Sequence, residues 1–158
     1  MRNATVFSVL VVVLLFASSA LSQSYRADID GGQPVPPTLS PGTGLGCFTL
    51  DAAKMLNYQV AFSGLISVEI AAHIHCCVPV GLNAGVLFPF ALGTPKIGAF
   101  GPLTAAQEAD LNAGLMYVNI HSVLFPGGEI RGQIFLNPAG CTVPVHDRTW
   151  GAIKSLYE

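Results

Sequence analysis

Three stretches of this chain alternate between apolar and polar residues with a period of two, and that alternation limits the fold more than any other feature. Val68, Ile70, Ala72 and Ile74 share one side of residues 67–76. Val118 and Ile120 do the same in 116–122, as do Ile130 and Ile134 in 129–136. Successive side chains of a strand point to opposite faces, so each run reads as a strand with one face on a core. Phe125-Pro126-Gly127-Gly128 separates the last two runs, which predicts a hairpin with a longer turn.

Shorter strand-like runs occupy 25–29, 47–50 and 58–62. Residues 86–92 are apolar but contain Pro89, which predicts an edge strand or irregular chain. Residues 33–46 carry Pro34, Pro36, Pro37 and Pro41 among Gly, Ser and Thr, and read as connection. One internal helix is signalled: Thr104 caps, Gln107 completes a capping box, and Gly114 stops a segment ending near Ala113. Many short strands and one short helix predict an all-β fold, an antiparallel Greek-key-like β-sandwich.

The ends differ from this middle. Arg2, the apolar run of residues 6–16 and the small residues 17–22 read as a signal peptide over 1–22, cleaved near Ser22-Gln23. The apolar run is shorter than the ~20 residues of a spanning helix. No cysteine follows the expected cut, which argues against a lipid anchor. Residues 23–140 then form one sandwich domain, and 141–158 a tail in which Trp150, Ile153 and Tyr157 share one face of a short C-terminal helix. That helix docks on the sandwich or serves as a recognition tag for sorting machinery. Without Arg2 the chain keeps six basic and nine acidic residues, about −3. It has no basic run, which speaks against nucleic acid, and no second long apolar segment, which speaks against a transmembrane span after cleavage. The expected location is extracytoplasmic: periplasm, cell surface or medium.

The face opposite the apolar one carries the chemistry. His73 and His75 point the same way on their strand, Asn119 and His121 on theirs, and Glu129, Arg131 and Gln133 on the third. If these strands are neighbours, one outer sheet face gathers them all. Two histidines two apart on a strand, with a third from a neighbour, can form a three-ligand set with an open position, and neutral imidazole suits copper or zinc. The alternative is a polar sheet face, with Arg131 paired to Glu129 or to a backbone carbonyl. No complete catalytic constellation is present: there is no Gly-x-Ser-x-Gly elbow, and no spacing fixes a carboxylate pair. A hydrolase would need a cleft on the same polar face.

All four cysteines, Cys47, Cys76, Cys77 and Cys141, fall in the exported part, where disulfides are permitted. The expected bridge is Cys47 with Cys141, since one precedes an early strand and the other follows the last. Cys76 and Cys77 are left adjacent, as a vicinal disulfide, as free thiols or as metal ligands.

Ala72-His73-Ile74-His75, Leu115-Met116-Tyr117-Val118-Asn119-Ile120-His121 and Phe125-Pro126-Gly127-Gly128-Glu129-Ile130-Arg131-Gly132-Gln133-Ile134 together resemble the CHRD domain. The resemblance extends to Asp30-Gly31-Gly32-Gln33-Pro34 and Leu103-Thr104-Ala105-Ala106-Gln107, covering about residues 25–137. It implies a secreted, non-catalytic binding or structural module for an extracellular or cell-surface ligand, and supplies no catalytic residues. The family often has glycine after the second histidine, where this chain has Cys76-Cys77. A more distant likeness joins His73, His75, His121 and Arg131 to the copper/zinc superoxide dismutase sandwich. The fourth copper histidine and the zinc loop of that enzyme have no counterpart here, which argues against dismutase activity.

Overall fold

Alternation resolves into nine strands and one helix among residues 22–143, the part described by a computed structural model. The strands are β1 (Gln23–Asp30), β2 (Thr43–Leu50), β3 (Leu56–Ser63), β4 (Glu69–Cys76), β5 (Gly85–Pro89), β6 (Lys96–Phe100), β7 (Tyr117–Ser122), β8 (Ile130–Gln133) and β9 (Phe135–Leu136). The helix, α1, spans Ala105–Asn112. The signal peptide expected over 1–22, apart from Ser22, and the helix expected over 150–157 lie outside the described residues. No helix among those described is long and apolar enough to cross a membrane.

All strand pairs are antiparallel, in the order β5-β4-β7-β8-β1-β2-β3-β6, with β9 also on β1. The chain crosses between the two halves of this sheet after β3, β5 and β6, connections of the Greek-key kind. The sheet curls until its two edges nearly meet. Phe88 of β5 stacks on Phe100 of β6 with ring centroids 4.6 Å apart, and Lys96 of β6 reaches Glu69 of β4 at 2.5 Å. The expected antiparallel all-β sandwich is therefore present as a nearly closed sheet. Tyr25, Ala27 and Ile29 from β1, Ile74 from β4, Val118 and Ile120 from β7, and Ile130 from β8 fill its interior, with Leu111 of α1 closing one part.

The local signals act as expected in α1. The Gln107 amide donates to the Thr104 hydroxyl at 3.2 Å, and the Thr104 amide donates to the Gln107 side chain at 2.8 Å. Gly114 follows with φ +69°, a left-handed position where glycine costs least. Two expectations need correction. Val68 and Ile70 are not core residues: they are 75% and 46% exposed, because the β4–β7 register shifts between Glu69 and Ala71 and only Ala72 and Ile74 reach the interior. And β6 is a strand where none was expected, its pattern inverted, with Lys96 buried and Ile97 69% exposed.

Cys47 and Cys141 are bridged, with Cα atoms 5.4 Å apart. Cys76 and Cys77 are paired with each other.

Candidate metal centre

Strand register alone brings the polar residues together. On the β4–β7 ladder His73 lies opposite Asn119, His75 opposite Tyr117 and Ala71 opposite His121. On the β7–β8 ladder Asn119 lies opposite Arg131 and Tyr117 opposite Gln133. Side chains directly opposite one another share a face, so β4, β7 and β8 present one contiguous polar group. This is the grouping that alternation predicts.

The group is not an outer surface, however. Glu129, Arg131 and Gln133 are 0%, 2% and 3% exposed. Irregular chain covers them and supplies their partners. Gln133 donates through Nε2 to the carbonyls of Gly114 (2.7 Å) and Val78 (3.0 Å), and its backbone amide donates to Gln33 Oε1 at 3.2 Å. Thr38 donates to the Glu129 carbonyl at 2.8 Å, and Asn83 donates to the Val35 carbonyl at 2.9 Å. The proline-rich connection and the loop before β5 thus form a lid of backbone over a polar sheet face. Buried polar groups need such partners, which is why this face stays polar under cover.

Arg131 and Glu129 do not pair. The Arg131 guanidinium lies 3.5 Å above the Tyr117 ring and donates to Gln133 Oε1 at 3.1 Å. The Tyr117 ring is stacked in turn on His75, with centroids 4.8 Å apart and planes 3° from parallel. Tyr117 also accepts from the Ala84 amide at 3.0 Å. A guanidinium on a desolvated aromatic face is a favourable cation–π contact.

Glu129 serves a separate purpose. Its carboxylate accepts from the Ser40 hydroxyl (2.6 Å), from the Ile66 amide (2.6 Å) and from the Ser122 hydroxyl. Burial pushes this carboxyl up, but hydrogen bonds from Ser122, Ser40 and the Ile66 and Ser67 amides outweigh it, and its pKa is lowered. A carboxyl with a depressed folded-state pKa contributes stability that is present above the unfolded value, about 4.3, and is lost as pH falls through the folded value. Glu129→Gln is therefore expected to cost about 1–3 kcal/mol at pH 7 and to flatten the loss of stability below about pH 5. Urea titrations between pH 7 and pH 3 measure this; an unchanged slope in the variant would contradict it.

The three histidines converge. His73 Nδ1 and His121 Nε2 are 3.1 Å apart, and one ligand atom from each of His73, His75 and His121 lies within 4.8 Å of the others. Two of the rings are held from behind. His121 Nδ1 is 2.9 Å from the Pro126 carbonyl, and His75 Nδ1 is 2.9 Å from the Ala84 carbonyl. A carbonyl only accepts, so both Nδ1 atoms carry the proton, and both Nε2 atoms present a lone pair. His75 Nε2 is buried without a partner. His73 Nδ1 donates to His121 Nε2; moving its proton to Nε2 would free both lone pairs.

Tetrahedral coordination with metal–nitrogen bonds of about 2.0–2.1 Å sets neighbouring nitrogens about 3.3 Å apart. The His73–His121 separation already matches that value, and a ring shift on the order of 1–2 Å brings in the third. Burial lowers the pKa of His73, with His121 adding to the effect. His75 is lowered too, by burial first, against its hydrogen bond to Ala84. Neutral rings are what a cation requires.

Residues 25–134 match the sequence profile of the CHRD domain. The chain belongs to the CHRD domain family. Chordin of Danio rerio is 27% identical over 118 residues, an alignment covering 69% of this chain and 12% of that protein. No solved structure matches the chain.

Within this CHRD domain, alternation alone places the three histidines on one face, and the structure brings them together. Alternation could not identify the carbonyls of Pro126 and Ala84 that fix two of them, because backbone partners leave no signature in side-chain pattern. The Pro-Gly-Gly turn was the available signal. Gly128 there has φ +126°, and a Cβ on it would fall on the Asn119 amide. Ser122, beside His121, donates to Glu129 rather than to an imidazole. A second grouping, Cys76, Cys77 and Asp110, lies at the end of β4, with Cys76 Sγ 3.9 Å from the Asp110 carboxylate. With its sulfurs joined, the pair has no thiolate to offer a cation.

Proposed function

We propose that this chain works outside the cytoplasm as a binding module of the CHRD type, and that it holds a copper or zinc ion on His73, His75 and His121. The extracytoplasmic placement rests on the signal-like N-terminal segment, the Cys47–Cys141 bridge and the likeness to chordin. The metal reading rests on one observation: three imidazole nitrogens converge while backbone carbonyls behind two rings fix the tautomer that exposes a lone pair. That is how outer partners orient metal-ligating histidines. Three nitrogen donors without a thiolate or carboxylate suit copper or zinc rather than magnesium or calcium. The ion would brace the β4–β7 ladder, and its fourth position would remain for an outside ligand.

Protein purified without a histidine tag and analysed by inductively coupled plasma mass spectrometry is expected to carry close to one equivalent of copper or zinc. His73→Ala combined with His121→Ala is expected to lose it while remaining folded by circular dichroism. A wild-type protein that folds, and takes up neither ion when supplied with both, would sink the reading.

A further inference from the structure

Two side-chain polar atoms among the described residues are buried without a hydrogen-bond partner: His75 Nε2 and Asn119 Oδ1. Both lie on the same face of the β4–β7 pair. Asn119 stands opposite His73 and two residues before His121, so it borders two of the three imidazoles. The metal reading accounts for His75 Nε2. It leaves Asn119 Oδ1 unexplained, and a buried orphan acceptor is rare enough to require a partner.

The orientation of this amide is fixed. Asn119 Nδ2 donates to the Gly127 carbonyl at 3.1 Å, which identifies the other atom as the oxygen. Gly128, at φ +126°, packs so closely that a Cβ would overlap the amide. The turn therefore uses two successive carbonyls, Pro126 on His121 and Gly127 on Asn119, to set two side chains of β7 at once. One side chain is aimed as a donor to a cation and the other as an acceptor with nothing to accept from.

We propose that Asn119 Oδ1 is the acceptor for a small protic ligand, water at rest, bound at the fourth position of the three-histidine site. This rests on the metal reading above. The ligand class follows from the two contacts it must make: one lone pair for the ion, and one N–H or O–H for the amide oxygen. Water, hydroxide, ammonia or hydroxylamine satisfy both. Azide and halides satisfy only the first, and the amide oxygen disfavours them, since it stays unpaired when they bind.

The test uses the full chain loaded with cobalt(II), whose visible spectrum reports coordination, titrated with sodium azide. Wild-type protein is expected to bind azide weakly. Asn119→Leu, which keeps the branched shape and removes the acceptor, is expected to bind azide about tenfold more tightly at unchanged metal content. Asn119→Asp, which keeps an acceptor and adds a negative charge, is expected to bind it more weakly than wild type. Loss of a merely structural contact would not tighten azide binding. Equal azide affinity in wild type and Asn119→Leu, both fully loaded, overturns the role of Asn119 and leaves the histidine site standing. A folded wild type that takes up no metal overturns both. Should Asn119→Leu not fold, Asn119→Asp decides: weaker azide binding supports the proposal, and equal or tighter binding overturns it.

Discussion

Replacing Cys47 and Cys141 together by serine is expected to lower the stability of the domain by about 4–5 kcal/mol, the largest effect of any single bridge or contact described here. The bridge joins β2 to the chain after β9, across a sequence separation of 94 residues. A crosslink stabilises mainly by removing freedom from the unfolded chain, and that restriction grows with the logarithm of the loop length. This loop encloses α1, the strands from β3 to β9 and the second half of β2. A domain of this size has a total stability on the order of 5–15 kcal/mol, so the loss takes about a quarter or more of it. Cys47 is nearly buried and sits mid-ladder, opposite Arg26 on β1 and Gln59 on β3, so both ladders should survive the substitution. The double variant should therefore keep its circular dichroism spectrum while its urea midpoint falls. The same fall is expected for wild type in reductant. An unchanged midpoint would contradict the assignment, as would peptides from non-reduced protein showing Cys47 linked to Cys76 or Cys77.

The bridge was legible in the sequence because one cysteine stands at an early strand signal and the other follows the last, although β2 already begins at Thr43 and so contains Cys47. So were the strands that carry the site, since β4, β7 and β8 each keep a core face and a polar face through Ile74, Val118, Ile120 and Ile130. Their register then follows from those faces, and it places His73, His75, His121, Asn119 and Arg131 together. What pattern could not supply was the cover. Polar residues on a face away from the core read as solvent-facing, yet Arg131 and Gln133 are buried beneath the connections around Gln33 and Asn83. Those connections pair through backbone groups and amide side chains, and their Pro and Gly content describes only their irregularity. Arg131 on the ring of Tyr117, rather than on Glu129, follows from the same cover: Glu129 is drawn to Ser40 and the Ile66 amide.

The strand β6 failed to register for the opposite reason, and the cause is itself a prediction. Lys96 is a charged residue inside the fold, and Ile97 beside it faces out, so hydrophobic alternation reads this strand backwards. Its side chain is 1% exposed and that of Glu69 is 9% exposed, with Nζ and Oε1 2.5 Å apart. Lys96 also donates to the carbonyls of Ala91 (2.7 Å) and Gly93 (2.8 Å). The second carboxylate oxygen of Glu69 accepts from the Gly93 amide at 2.7 Å. The ammonium thus has three oxygen acceptors for its three protons, which is what a buried charge needs to offset its desolvation. The pair links β6 to β4 across the gap between the sheet edges, and it fixes the turn that connects β5 to β6. Removing one partner strands the other. Lys96→Met is expected to cost about 3–5 kcal/mol, because it leaves the Glu69 carboxylate buried with one donor and two carbonyls unpaired. Adding Glu69→Gln to Lys96→Met removes the stranded charge, so the double variant is expected to be more stable than Lys96→Met alone, although the Ala91 and Gly93 carbonyls stay unpaired. Urea unfolding of wild type, both singles and the double closes the cycle. Additive single losses would show that the two charges do not act as a unit. A Lys96→Met cost below about 1 kcal/mol, the range of exposed pairs, would show that the edges are held by the Phe88–Phe100 stack instead.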